Sequence, residues 1–146
     1  NDWSDPALQL GYAYSKSKII AERAAWDFMK TLPDDQKFEF TVMNPGFVVG
    51  PTLHGNPGTS SDIINRLLSR QMPLVPKLNF AYIDVRDVAL AHVKAMTLPE
   101  VVGHRHLLIN EGLWVTEIAA ILDKEFRSQG YNVPTKQLPD GIFAFA

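Results

Sequence analysis

The sequence predicts an α/β fold. Stretches with a helical apolar period alternate with short runs of β-branched and aromatic residues, and Pro and Gly punctuate the joins. The composition is that of a folded domain, 46% hydrophobic and 21% charged, and 146 residues is about one ordinary domain's worth. No internal repeat or low-complexity tract interrupts it.

The elements follow in order. Ile20, Ala24 and Phe28 share a face at four-residue spacing, which predicts a helix from about Pro6 to Met29. It stops before Leu32-Pro33, because proline disfavours helix in the residue ahead of it. Phe38 to Met43 reads as a strand ended by Asn44-Pro45-Gly46. A loop rich in Gly and Pro leads to a helix starting near Ser61-Asp62, with Ile63, Ile64, Leu67 and Leu68 as its buried stripe. Phe80 to Ile83 is a strand, and Asp84 caps a helix running to about Met96, with Asp87 at its third position. His106 to Asn110 is another strand. Thr116 caps a last helix carrying Ile118, Ile121, Leu122 and Phe126, and Gly130 stops it.

Fourteen Lys and Arg against sixteen Asp and Glu leave a formal charge of −2, with no block of one sign. That argues against nucleic acid or an anionic membrane as partner. No apolar run is long enough to span a bilayer, and the first residues lack the blocks of a signal peptide. Without cysteine there is no disulfide frame, Cys-ligated zinc or thiol nucleophile, which fits a cytoplasmic enzyme. His104 and His106 alternate as metal ligands do, but no third ligand is near, so no metal is expected. Asp84 and Asp87 read as helix caps, His92 as a packed or surface residue, and Trp3, Trp26 and Trp114 as packing residues.

Tyr12 to Lys18 holds two overlapping Y-x-x-x-K matches, Tyr12 with Lys16 and Tyr14 with Lys18. On a helix this spacing places phenol and ammonium on one face, a turn apart. Making a tyrosine an acid at neutral pH takes about 4 kcal/mol. One ammonium at about 4 Å, with an effective dielectric near 20, supplies that much. A Tyr–Lys pair is therefore able to donate and accept a proton near neutrality. The spacing equally admits a packed tyrosine with solvated lysines.

Tyr14-Ser15-Lys16-Ser17-Lys18-Ile19-Ile20-Ala21-Glu22, followed by Asn44-Pro45-Gly46-Phe47-Val48-Val49-Gly50-Pro51, resembles the extended short-chain dehydrogenase/reductase superfamily. Ala24-Ala25-Trp26, the run from Tyr82 to His92 and Gly103 to Leu108 are similar to its dihydroflavonol reductase-like branch, although His106 replaces the usual aromatic. The family's Y-x-x-x-K-x-x-A-E register selects Tyr14 and Lys18. The resemblance implies that Tyr14 donates a proton to a carbonyl oxygen, while Lys18 assists it and hydrogen-bonds the nicotinamide ribose. Pro45, Gly46, Phe47 and Val48 would lie against the nicotinamide. Ser60 and Ser61 sit near a cofactor phosphate, although capping the next helix explains them equally well.

The resemblance implies the C-terminal part of a Rossmann-type NAD(P)-binding fold (1–52) and the smaller substrate domain (53–146), with 80–97 returning toward the first. No two glycines stand two apart, so the glycine-rich phosphate turn is not in this sequence. The upstream catalytic Ser or Thr has no place among thirteen residues. The expected function is thus part of an NADPH-dependent aldehyde or ketone reductase, with NAD possible as cofactor. A small carbonyl compound is the expected substrate and an N-terminal half the expected partner. The strands flanking Phe38 to Met43 would come from that half, so the isolated chain is expected to self-associate, and without the glycine-rich turn it is expected to be inactive. A nucleotide-sugar epimerase, a hydroxysteroid dehydrogenase and a non-catalytic interaction module are the rival readings.

Overall fold

The computed structural model describes residues 3–5, 13–53, 55 and 58–139. Its contacts divide the chain into two compact units, Asn1–Glu39 and Phe40–Ala146. In the first, helix α1 covers Ala13–Thr31, and a 3-10 turn follows at Asp34–Gln36. The predicted start near Pro6 lies outside the described residues. Thr31 closes α1 by donating to the Phe28 carbonyl at 2.7 Å, two residues ahead of Pro33. No residue of α1 is buried, so the Ile20 and Phe28 face is open.

The second unit is α/β, as predicted. Strand β1 (Val42–Pro45) gives way after one residue to β2 (Phe47–Val49), and helix α2 spans Gly58–Leu68. Then come β3 (Asn79–Asp84), α3 (Val85–Ala95), β4 (Arg105–Leu108), β5 (Glu111–Trp114) and α4 (Val115–Phe126). Strands β1 and β4 pair in parallel, Val42 opposite Arg105. Strand β2 pairs in parallel with β3, Phe47 opposite Tyr82, and β5 pairs antiparallel on the other side of β3. The sequence β2–α2–β3 is thus a strand–helix–strand crossover, the connection that parallel strands require.

The core of this unit is Leu67, Val75, Val115, Ala119 and Val133, with Ile63, Leu68, Phe80, Ile118 and Leu122 packed against it. Each fully buried Val or Leu contributes about 1.5–3 kcal/mol. Leu67 carries the predicted stripe of α2 into this core, whereas Ile121, expected inside, is 56% exposed.

Several boundaries differ from expectation. The strand predicted at Phe38–Met43 begins at Val42 and runs through Pro45, because its partner β4 reaches only Arg105–Leu108. That partner also belongs to this chain, so one flank of β1 is filled from within. Strand β5 was not foreseen. Thr116 is not the cap of α4: Trp114 holds that position, and the Glu117 carboxylate accepts its backbone N–H at 2.7 Å. Gly130 does end the last helix, in left-handed conformation at φ 91°, after a 3-10 turn at Arg127–Gln129.

Candidate active site

Tyr14 and Lys18 are brought together by the first turn and a half of α1. The Lys18 Nζ stands 5.3 Å from the centroid of the Tyr14 ring, over its face. Ser17 Oγ donates to the Tyr14 carbonyl at 2.7 Å, satisfying an acceptor in that turn. Tyr14 is 75% exposed, so its phenol is open to a reactant. The arrangement sets a positive charge over the ring of an accessible phenol. Tyr12, the rival tyrosine, lies outside the described residues, and its partner Lys16 is exposed.

Pro45, Gly46, Phe47 and Val48 form the passage from β1 to β2, where the chain leaves β4 and joins β3. Pro45 is opposite Leu108, Gly46 donates its N–H to the Leu108 carbonyl at 2.9 Å, and Val48 is opposite Ile83. A Cβ on Gly46 would stand 2.3 Å from the Ala81 carbonyl oxygen, so only glycine fits. The Phe47 ring stacks on Phe80 at 4.9 Å and meets Tyr82 edge-on at 5.4 Å. That half-buried ring is thus held in an aromatic cluster with Phe80 and Tyr82.

Ser60 and Ser61 stand third and fourth in α2, which begins at Gly58. They are therefore inside the first turns rather than at the predicted cap. Asp84 does cap α3: Oδ1 accepts the Arg86 N–H at 2.8 Å. Both its oxygens also grip the Arg86 guanidinium, at 2.9 and 2.6 Å. These Arg86 contacts hold the Asp84 carboxyl down at about 2. Arg86 was not singled out in the sequence; an Arg two residues after a capping Asp is the signal that could have found it.

Burial pushes the Tyr82 phenol up, and its hydroxyl has no hydrogen-bond partner among the described residues. His92 Nδ1 lies 2.7 Å from the Val88 carbonyl, a local helix contact, and His104 and His106 meet edge-on at 6.5 Å. Among the described residues no helix is long and apolar enough to cross a membrane.

No protein-family model matches the chain. It is 35% identical over 128 residues to the NADPH-dependent methylglyoxal reductase of Saccharomyces cerevisiae, covering 84% of this chain and 37% of that protein. It is 36% identical over 123 residues to cinnamoyl-CoA reductase 1 of Arabidopsis thaliana, covering 84% of this chain and 34% of the relative. Among solved structures, the yeast methylglyoxal/isovaleraldehyde reductase complexed with NADPH superposes with a TM-score of 0.74 at 34% identity. That match covers 84% of this chain and 38% of the reductase. The chain thus spans little more than a third of the length of these relatives.

Proposed function

The chain belongs to the extended short-chain dehydrogenase/reductase superfamily, in its dihydroflavonol reductase-like branch, and from that membership we propose that it carries the proton-donor part of an NADPH-dependent carbonyl reductase. The single observation that carries the reading is the exposed Tyr14–Lys18 pair, with the ammonium over the phenol ring. Bound NADPH supplies a hydride to the carbonyl carbon. Tyr14 gives its hydroxyl proton to the carbonyl oxygen as charge develops there, completing an alcohol. Lys18 stabilises the phenolate left behind and has further N–H donors for a ribose hydroxyl.

On α1 the phenol and the ammonium are donors that suit the reacting end of such a cofactor. Within its own unit, the passage at Pro45–Val48 is held by pairing first with β4 and then with β3. In this reading residues 1–52 go with the nucleotide-binding domain and 53–146 mainly with the substrate domain, 80–97 returning to the former. Ser60 and Ser61, in the first turns of α2, lie where backbone N–H groups suit a phosphate. The pyrophosphate needs a glycine-rich turn that these 146 residues do not contain.

The test is to place residues 1–146 in the corresponding stretch of the yeast methylglyoxal reductase and follow NADPH oxidation with an aldehyde. Tyr14→Phe should lower turnover at least ~10²-fold with NADPH still bound, and Tyr12→Phe should leave it within a few-fold. Loss of activity in Tyr12→Phe alone would reverse the register.

A further inference from the structure

A cleft of about 360 Å³ opens on α1, lined by Trp3, Arg23, Trp26, Asp27 and Lys30. At 3.6 residues per turn, these four helix residues lie roughly 120–220° round the axis from Tyr14, whereas Lys18 lies about 40° from it. The cleft is therefore a second face of the helix, separate from the candidate proton donor.

Its chemistry is specific. The Arg23 guanidinium sits 5.2 Å over the Trp3 ring, and its Nη2 donates to the Ser4 carbonyl at 3.3 Å. Lys30 Nζ pairs with Asp27 Oδ1 at 2.7 Å, and Trp26 Nε1 donates to Glu22 Oε1 at 3.2 Å. Two cations and one carboxylate thus line the cleft. That carboxylate is on Lys30, while Arg23 touches an indole and a neutral carbonyl, with no carboxylate on it among the described residues. A guanidinium stacked on an indole keeps in-plane N–H donors, and their fork matches a carboxylate. Two indoles beside it supply flat apolar surface, and the volume suits a molecule of one or two rings.

We propose that this cleft binds a small aromatic carboxylate, its ring against Trp3 and Trp26 and its carboxylate on Arg23. The inference does not depend on the reductase reading, since it uses neither Tyr14 nor a cofactor. The test uses the 146-residue chain with Trp114→Phe, so that the remaining indole fluorescence comes from Trp3 and Trp26. Benzoate should change the emission saturably, half-saturating near ~1 mM. Benzyl alcohol, which lacks the charge, and inorganic phosphate, which lacks the ring, should each bind at least ~10-fold more weakly.

Arg23→Gln should weaken benzoate by ~10-fold or more with an unchanged far-ultraviolet circular dichroism spectrum. Should that variant lose helix, Arg23→Lys serves instead: it keeps the charge, loses the fork, and should still weaken benzoate several-fold. A non-saturable response, benzoate affinity unchanged in the folded Arg23 variant, or phosphate binding as tightly as benzoate would each overturn the proposal.

Discussion

Asp84 caps α3 and holds Arg86 through both oxygens, and these contacts place its carboxyl at about 2, below the ordinary value of 3.8. A carboxyl that ionises more readily when folded stabilises the fold above its unfolded value, and that contribution is lost as pH falls through the folded one. Asp84→Asn keeps a capping side chain but not the charge, so it should be less stable than the parent near neutral pH. The gap in urea midpoint should close between about pH 4 and pH 2; a gap constant over that window would remove Arg86 as the cause. Tyr82 has the opposite sign. Its buried phenol holds its proton more tightly in the fold, so stability declines as pH rises above about 10. Tyr82→Phe should abolish that alkaline decline and, because the hydroxyl has no partner among the described residues, cost little stability near neutral pH. Urea midpoints from about pH 8 to 11 decide it. The cap at Asp84 was legible because a side chain and the next backbone N–H are local. The unpartnered Tyr82 hydroxyl was not, because burial depends on strands far away in sequence.

At the scale of elements, the passage β1–Gly46–β2 is where the sheet partner changes from β4 to β3 within one residue. The Ala81 carbonyl sits where a Gly46 Cβ would go, and a strand carbonyl has no rotamer by which to move aside. Gly46→Ala should therefore cost about 1–3 kcal/mol, read as a lower urea midpoint. Gly55→Ala, with open space around its Cβ position, is the control and should change little. Equal midpoints in the two variants would show that the passage tolerates a side chain. In the sequence, Asn44-Pro45-Gly46 reads as the end of a strand. The proline is in fact paired in parallel with Leu108, lacking a donor only on its free flank. Strand β5 escaped because Glu111-Gly112-Leu113-Trp114 has neither alternation nor β-branching; what makes it a strand is Phe80 opposite Leu113. Helix α2 starts three residues earlier than its serines suggested, and Thr116 lost the cap of α4 to a Glu117 carboxylate reaching back to Trp114. Periodicity located helices well, while their first turns were decided by hydrogen bonds that several nearby polar residues could have made.

For the whole molecule, the question is what the chain does alone when its relatives are more than twice its length. In the Phe40–Ala146 unit, β1 has β4 on one flank and no strand on the other among the described residues. Val42 and Gly46 turn their N–H groups to β4, so Met43, between them, presents its own to the open flank. Along α3 and its C-cap, Leu90, Val93 and Met96 are exposed at three-residue spacing, Met96 at 83%, and Leu107 of β4 is exposed as well. An unpaired strand edge and an exposed apolar stripe each favour another chain as cover. Pro45 lacks one donor on that edge, which shortens the usable template to Met43 and the residues before it. In the Asn1–Glu39 unit, Ile20 and Phe28 add a second open apolar face. The isolated chain should therefore elute with a light-scattering mass above that of a monomer, increasingly so with concentration. It should also fail to saturate with NADPH at micromolar concentration, because Lys18 and Tyr14 supply only a few of the contacts such a cofactor needs and the glycine-rich turn is not among these residues. Leu90→Lys with Val93→Glu should lower the mass without restoring NADPH binding, which separates the two halves of the argument. A monodisperse monomer that enhances NADPH fluorescence at micromolar concentration would contradict both. It would require a pyrophosphate site built without that turn.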